Sequence, residues 1–300
     1  MKVALITGAS GQDGSYLHEF LKGKGYNIKC INRGDDIHEC ISDCIEYSHI
    51  EIYNLAAQSH VGESFKNATN TFQTNTETIL FILETVKHLG IQHKCKIFQA
   101  SSSEMLGEPS SLYGISKLSA HLIAKYFREI HGMFVCSGIL YNHESPRRKV
   151  TFVTQKIIQG LKSGECFTLG NIEARRDWGH AKDYVEAMWL MLQQEQPDDY
   201  VVATGKTHSV REFIEIAVHK MGKKIVWSGK GLNGEGRIDG KVIIKVSEEF
   251  YRPDDTKPTP MGDPSKLEAI GWSRKYTLPD IIEEMLFPLP EISQASNSPR

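Results

Sequence analysis

Lys2–Ile6 reads KVALI and Thr7–Tyr26 continues as TGASGQDGSYLHEFLKGKGY, an apolar run, a glycine-rich turn and an amphipathic stretch in that order. The unbroken apolar run suits a strand buried on both faces, and the stretch after the turn has helical spacing. Gly8, Gly11 and Gly14 permit a tight turn and close approach of backbone to a ligand. The helix start then offers unpaired N–H groups and a positive dipole end to a pyrophosphate. Strand, turn and helix together predict a dinucleotide site whose first contacts are Gly8, Gly11, Gln12, Asp13 and Gly14. The expected fold is α/β, a Rossmann-type doubly wound parallel sheet with a smaller C-terminal α/β substrate domain.

A second strand, Asn27–Ile31, ends beside Asn32 and Arg33. A basic residue there accepts the 2′-phosphate of NADP, so Arg33 argues for NADP; Asp35 and Asp36 could take a ribose hydroxyl and keep NAD as the second choice. Only about eighteen residues separate Ile31 from the next apolar strand, IEIYNLAA, and one crossover with its helix uses about a dozen. The third strand of the usual sheet is therefore expected to be absent or vestigial, with the second strand at the edge. His38, Cys40, Cys44 and His49 lie in this connection, where one helix with a buried cysteine pair is expected and no metal.

YNLAAQSH (Tyr53–His60) ends a strand in small residues, as backbone contact with a cofactor requires, which adds Leu55, Ala56 and Ala57. Asn70–Leu89 contains a helix whose Phe72, Ile79, Leu80, Leu83 and Val86 read as core. Lys96–Ala100 then leads into ASSSEMLGEPSSLYGISK (Ala100–Lys117). Tyr113 and Lys117 lie four apart and share a helix face. An ammonium beside a phenol favours phenolate, which would lower the tyrosine's pKa from about 10 toward the working range of a general acid and base. Ser101, Ser102 and Ser103 emerge at a strand's C-terminal end, where such sheets bind ligands. Glu104 is the unusual element: oxidation of an alcohol needs no carboxylate base, whereas a second proton transfer does.

With 300 residues the chain can bury a large core. A net charge of -2 with no basic run among aromatics argues against nucleic acid. Six scattered cysteines favour a reducing compartment. No apolar stretch approaches the ~18 residues of a membrane span, so a cytoplasmic protein is expected. Beyond FVCSGIL, the segment YNHESPRRKVTFVTQKI suits substrate binding, with Arg147, Arg148 and Lys156 facing phosphates. RRDWGH reads as a charged turn before a helix, Ser209 and Glu212 as a capping box, Ser228–Lys241 as a mobile loop or lid, and Pro288–Arg300 as disordered.

ITGASGQDGSYL, YNLAAQSHV, SSSEM, YGISK, NHESPRR, TFVTQKI, RRDWGHAKDYVEAMWLMLQ, HSVREF, FYRP and GDPSKL together resemble the GDP-mannose 4,6-dehydratases, extended short-chain dehydrogenase/reductases, up to about Phe287. The resemblance implies bound NADP and conversion of GDP-mannose to GDP-4-keto-6-deoxymannose. Carried over, Tyr113 takes the C4 hydroxyl proton, Lys117 supports it, Ser102 (threonine in the family) binds the C4 oxygen and Glu104 removes the C5 proton. His143 and Arg148 join the cofactor contacts. Asn142, Lys156, Arg176, Arg252 and Asp255, the last a glutamate in the family, hold the nucleotide sugar. The family also carries a longer segment after the second strand that contacts NADP and a neighbouring subunit. Its absence here points to a homodimer through the Tyr113 helix and the Asn70–Leu89 helix. The implied division is 1–148 with about 172–205 for NADP, and 149–171 with 206–287 for substrate. A nucleotide-sugar 4-epimerase or reductase, or a catalytically impaired nucleotide-binding protein, are the alternatives.

Overall fold

The structure, a computed structural model, describes residues 2–250 and 261–288. Strand β1 (Lys2–Thr7) leads through the glycine-rich turn into α1 (Gln12–Gly23), and β2 (Asn27–Ile31) follows. A short helix α2 (Ile37–Ser42) fills the connection to β3 (His49–Asn54), which leaves no room for a further strand. After α3 (Val61–Ser64) and α4 (Ala68–His88) come β4 (Cys95–Ser102), α5 (Leu112–His131) and β5 (Phe134–Leu140). Short strands β6 (Asn142–Glu144), β7 (Phe167–Leu169), β8 (Arg175–Arg176) and β9 (Trp178–His180) surround helix α6 (Val153–Ser163). Helix α7 (Ala181–Leu192) then precedes β10 (Asp199–Val202).

The main sheet has the order β10-β5-β4-β3-β1-β2, parallel throughout, with β2 at the edge. Apolar residues line both faces. Ile6, Tyr53, Phe98 and Cys136 pack with α1 and α7 on one side, and Leu5, Ile52, Ile97 and Val135 pack with α4 and α5 on the other. A separate core gathers around α6, β11 (His208–Ser209), α8 (Val210–Lys220), β12 (Ile225–Ser228), β13 (Glu235–Ile238), β14 (Lys241–Val246) and, beyond α9 (Ser265–Glu268), α10 (Leu278–Leu286). Ser209 caps α8 by accepting from the Glu212 N–H at 3.0 Å.

Ser228–Lys241 is not a loose loop. β12, β13 and β14 pair antiparallel, and β14 pairs with β7. The local signal is Asp239-Gly240 ahead of the apolar run Val242–Ile244: both residues have positive φ, 50° and 79°, the conformation of a tight hairpin turn. RRDWGH likewise forms two short strands instead of a turn, because β8 and β9 find partners in β11 and β6. On α4, Ile79, Leu83 and Val86 are core, but Phe72 and Leu80 are 39% and 38% exposed. Leu80 adjoins Leu122 and Tyr126, both exposed, across α4 and α5. Helical spacing cannot distinguish a face turned to the chain's own core from one left outside it. Residues Arg252 and Asp255, the FYRPDD turn beyond Phe250 and most of the tail from Pro288 lie outside the described residues.

Candidate active site

A cavity of about 1730 Å³ opens at the carboxyl ends of the main sheet and extends to the second core. The candidate residues that line it are Gly8, Gly11 to Gly14, Arg33, Leu55 to Ala57, Ser102, Glu104, Tyr113, Lys117, Asn142, His143, Arg148, Lys156 and Arg176. Arg147 does not line it. Its guanidinium turns to α1, donating to Ser15 at 3.1 Å and Glu19 at 2.6 Å.

The turn at the head of α1 is built for an anion. Gly8 has φ 69°, and a Cβ on Gly14 would lie 2.3 Å from the Gly8 carbonyl oxygen, so neither position accepts a side chain. Gly11, the N-cap of α1, supplies no side-chain cap, which leaves the first N–H groups to a ligand. The Thr7 hydroxyl accepts from the Leu55 and Ala56 N–H groups, each at 3.0 Å, and donates to Asn54 at 2.9 Å. Thr7 thereby sets the loop after β3 against the turn, a role its ordinary place at a strand end does not announce. At the edge strand, Asp35 accepts from the Asn32 N–H at 2.7 Å and Asp36 caps α2, so both carboxylates serve the local turn.

Ser102 ends β4 and Glu104 follows in a 3₁₀ turn, Ser103–Met105, whose Glu104 N–H donates to the Ser102 hydroxyl at 3.2 Å. Ser101 is engaged elsewhere, 3.1 Å from His121. Helix α5 begins with Ser111 as its cap, accepting from the Gly114 N–H at 3.1 Å. Gly114 has a second reason to lack a side chain: a Cβ there would lie 2.4 Å from the Glu104 carbonyl oxygen. The first turn of α5 is thus seated directly on the turn that carries Glu104. A glycine next to the site tyrosine was the available sign of that approach.

Tyr113 and Lys117 are buried one helical turn apart. The Lys117 ammonium donates to the Ala100 carbonyl at 3.0 Å and stands 5.9 Å from the centre of the Tyr113 ring. The expected lowering of the phenol is absent. Burial, with the Glu104 charge adding and a Ser102 hydrogen bond opposing, pushes Tyr113 up to about 12. Burial pushes Lys117 down to about 8. The physical reason is that desolvation penalises both charged forms, and the lysine is directed at a carbonyl instead of the phenol.

At the other end of the cavity, burial lowers the Lys156 pKa, and its ammonium lies 3.6 Å from the centre of the Phe250 ring. Arg176 on β8 donates to the Arg175 carbonyl at 2.7 Å. Arg148 pairs with buried Glu144 at 3.2 Å and lies 3.6 Å over Phe152. Among the described residues no group of three or more histidine, cysteine or acidic side chains is arranged to hold a metal ion, and no helix is long and apolar enough to cross a membrane.

Sheet order, glycine-rich turn and the Tyr113–Lys117 pair define a Rossmann-type α/β protein of the extended short-chain dehydrogenase/reductase class. Solved structures of this class superpose on it. A UDP-glucose 4-epimerase from Thermotoga maritima, solved with UDP-glucose, aligns with a TM-score of 0.79 at 20% identity, covering 95% of this chain and 97% of its own. The RMD protein of Pseudomonas aeruginosa, complexed with NADPH, aligns with a TM-score of 0.75 at 21% identity, covering 95% and 97%. The family model described as GDP-mannose 4,6 dehydratase matches residues 35–285. The GDP-mannose 4,6 dehydratase of Cricetulus griseus is 42% identical over 95% of this chain and 90% of its own length. That of Yersinia enterocolitica is 39% identical, over 95% and 93%. The chain belongs to the GDP-mannose 4,6-dehydratase family.

Proposed function

We propose that this chain converts GDP-mannose to GDP-4-keto-6-deoxymannose as an NADP-dependent lyase. The observation that carries the reading is the seating of the Glu104 turn on Gly114, which holds a carboxylate beside Tyr113 in one cavity. The Tyr113 phenol takes the C4 hydroxyl proton when ionised, a state reached against its burial, with Ser102 hydrogen-bonding the C4 oxygen and the Lys117 ammonium supplying positive charge 5.9 Å from the ring. A bound nicotinamide dinucleotide would supply the hydride chemistry between C4 and C6. The C4 ketone acidifies the C5 proton; Glu104 removes it and the proton leaves with the C6 hydroxyl as water, after which C5 regains a proton from Tyr113, which returns the one taken from the C4 hydroxyl as hydride reaches C6. A C4 epimerase needs no base at C5 and would leave Glu104 without a role.

The uncapped helix start, the glycines that admit backbone contact and the volume of the cavity support a nicotinamide dinucleotide held by Gly8, Gly11 to Gly14, Leu55 to Ala57, Tyr113, Lys117, His143 and Arg148. Arg33 lines the cavity; Asp35 lines it too but its carboxylate accepts from the Asn32 N–H, and Asp36 caps α2, which supports NADP over NAD. Asn142, Lys156 and Arg176, with Arg252 and Asp255, hold the nucleotide sugar. The two hydrophobic cores support a division into a cofactor-binding and a substrate-binding part. The exposed Phe72 and Leu80 of α4 with Leu122 and Tyr126 of α5 support a homodimer through these helices. Free thiols at all six cysteines accord with a cytoplasmic setting.

Incubation of the purified protein with GDP-mannose and NADP is expected to yield the 4-keto-6-deoxy product without net NADPH. Absence of turnover in a protein that binds the cofactor would overturn the reading. Solution mass is expected to be that of a dimer, falling to a monomer in Leu122→Glu.

A further inference from the structure

Asp13 is a carboxylate in a turn shaped for phosphate, where negative charge opposes the ligand. Its partners explain its presence. One oxygen lies 2.8 Å from Nε2 of His143, a residue 130 positions away on β6, and the other accepts from the Gln12 amide at 3.1 Å. The imidazole is held on every side: Nδ1 lies 2.7 Å from the Tyr141 carbonyl and the ring stacks on the buried Tyr184 ring with centroids 4.3 Å apart. Both ring nitrogens face oxygens, so neither is available to a substrate. Gln12 adds a second tie, accepting from the Ser145 hydroxyl at 2.8 Å and donating to the His143 carbonyl at 3.1 Å. The ring and its partner are largely withdrawn from water, where such a pair is little screened.

We infer that Asp13 is a positioning residue: through His143 it clamps the segment Asn142–Arg148 to the glycine-rich turn, so that the cofactor cradle and the polar wall opposite it form one rigid unit. The inference rests on the proposed NADP site. The clamp accounts for a carboxylate that phosphate binding alone leaves unexplained, since its oxygens are taken up by the His143 ring and the Gln12 amide. Its loss frees both the turn and the wall, and binding must then order them again.

The test measures NADP dissociation constants in the absence of substrate for the wild type, Asp13→Ala, His143→Gln and the double variant, with melting midpoints as a check on folding. Each single change is expected to weaken NADP about tenfold, and the double variant no more than the worse single. In NADP-saturated protein kcat is expected to fall while the KM for GDP-mannose stays within about twofold, a split that general loosening of the fold does not produce. Asp13→Asn, which retains a neutral hydrogen bond to the ring, is expected to recover part of the affinity. Unchanged or tighter NADP binding in Asp13→Ala, or additive losses in the double variant, would overturn the clamp. Failure of the wild type to bind NADP would instead overturn the proposed cofactor.

Discussion

Two buried polar clusters occupy the same parallel sheet, and they differ in how completely their groups are satisfied. On β3, Glu51 is fully buried and its oxygens meet four side chains: Tyr26 at 2.9 Å, His49 at 2.9 Å, Gln193 at 3.1 Å and Tyr53 at 2.6 Å. At the carboxyl end of β4, Lys117 with three donor hydrogens has the Ala100 carbonyl as its hydrogen-bond acceptor among the described residues. The first cluster is closed and can only stabilise. The second keeps valences open, which is unfavourable for folding and is what a reacting ligand requires.

The sharpest break of this contrast is Glu104→Gln. It keeps the shape of the open cluster and removes its base, so product formation is expected to fall about 10²–10⁴-fold with folding intact. Full activity would remove Glu104 from the chemistry. Gly114→Ala acts on geometry alone. A Cβ 2.4 Å from the Glu104 carbonyl must push the two turns apart, and a displacement near 1 Å is expected to cost about a hundredfold in kcat. An unchanged kcat would mean that the Glu104 turn need not be seated on α5.

The closed cluster should behave in the opposite way. Glu51→Gln is expected to lower stability by about 2–3 kcal/mol, read as a fall in melting midpoint, while turnover per folded molecule stays the same. Burial alone would raise the Glu51 pKa, but the hydrogen bonds from His49, Tyr53, Gln193 and Tyr26 outweigh it and hold the carboxyl below its usual value. A lowered folded-state value means that the stabilisation is present above the usual carboxylate range. It is lost as pH falls through the folded value. The melting difference between Glu51→Gln and the parent is therefore expected to close in acid; a difference that persists there would assign the loss to packing.

Of the open cluster, the residue types and their spacing were legible because each is local: Gly8, Gly11 and Gly14 within one turn, Tyr113 and Lys117 within one helical turn, Ser102 and Glu104 within one strand end. The missing strand was legible from chain length, since about eighteen residues cannot hold two crossovers. Thr7 escaped notice because its function lies in N–H groups 48 and 49 residues away. Arg147 was placed wrongly because a basic segment does not reveal which of its cations will meet Glu19 on another element. Asp239-Gly240 was a local signal that the surrounding glycines and charges masked.

Periodicity and short-range spacing determined the sheet, the glycine-rich turn and the candidate catalytic residues, because strand and helix repeats and the reach of neighbouring side chains act over a few residues. Only the tertiary structure decided which polar groups are closed and which remain open. It also decided that Asp13 meets His143, and that burial sets Tyr113 high and Lys117 low. Those outcomes depend on desolvation and on partners brought together from distant parts of the chain, and neither is encoded in local spacing.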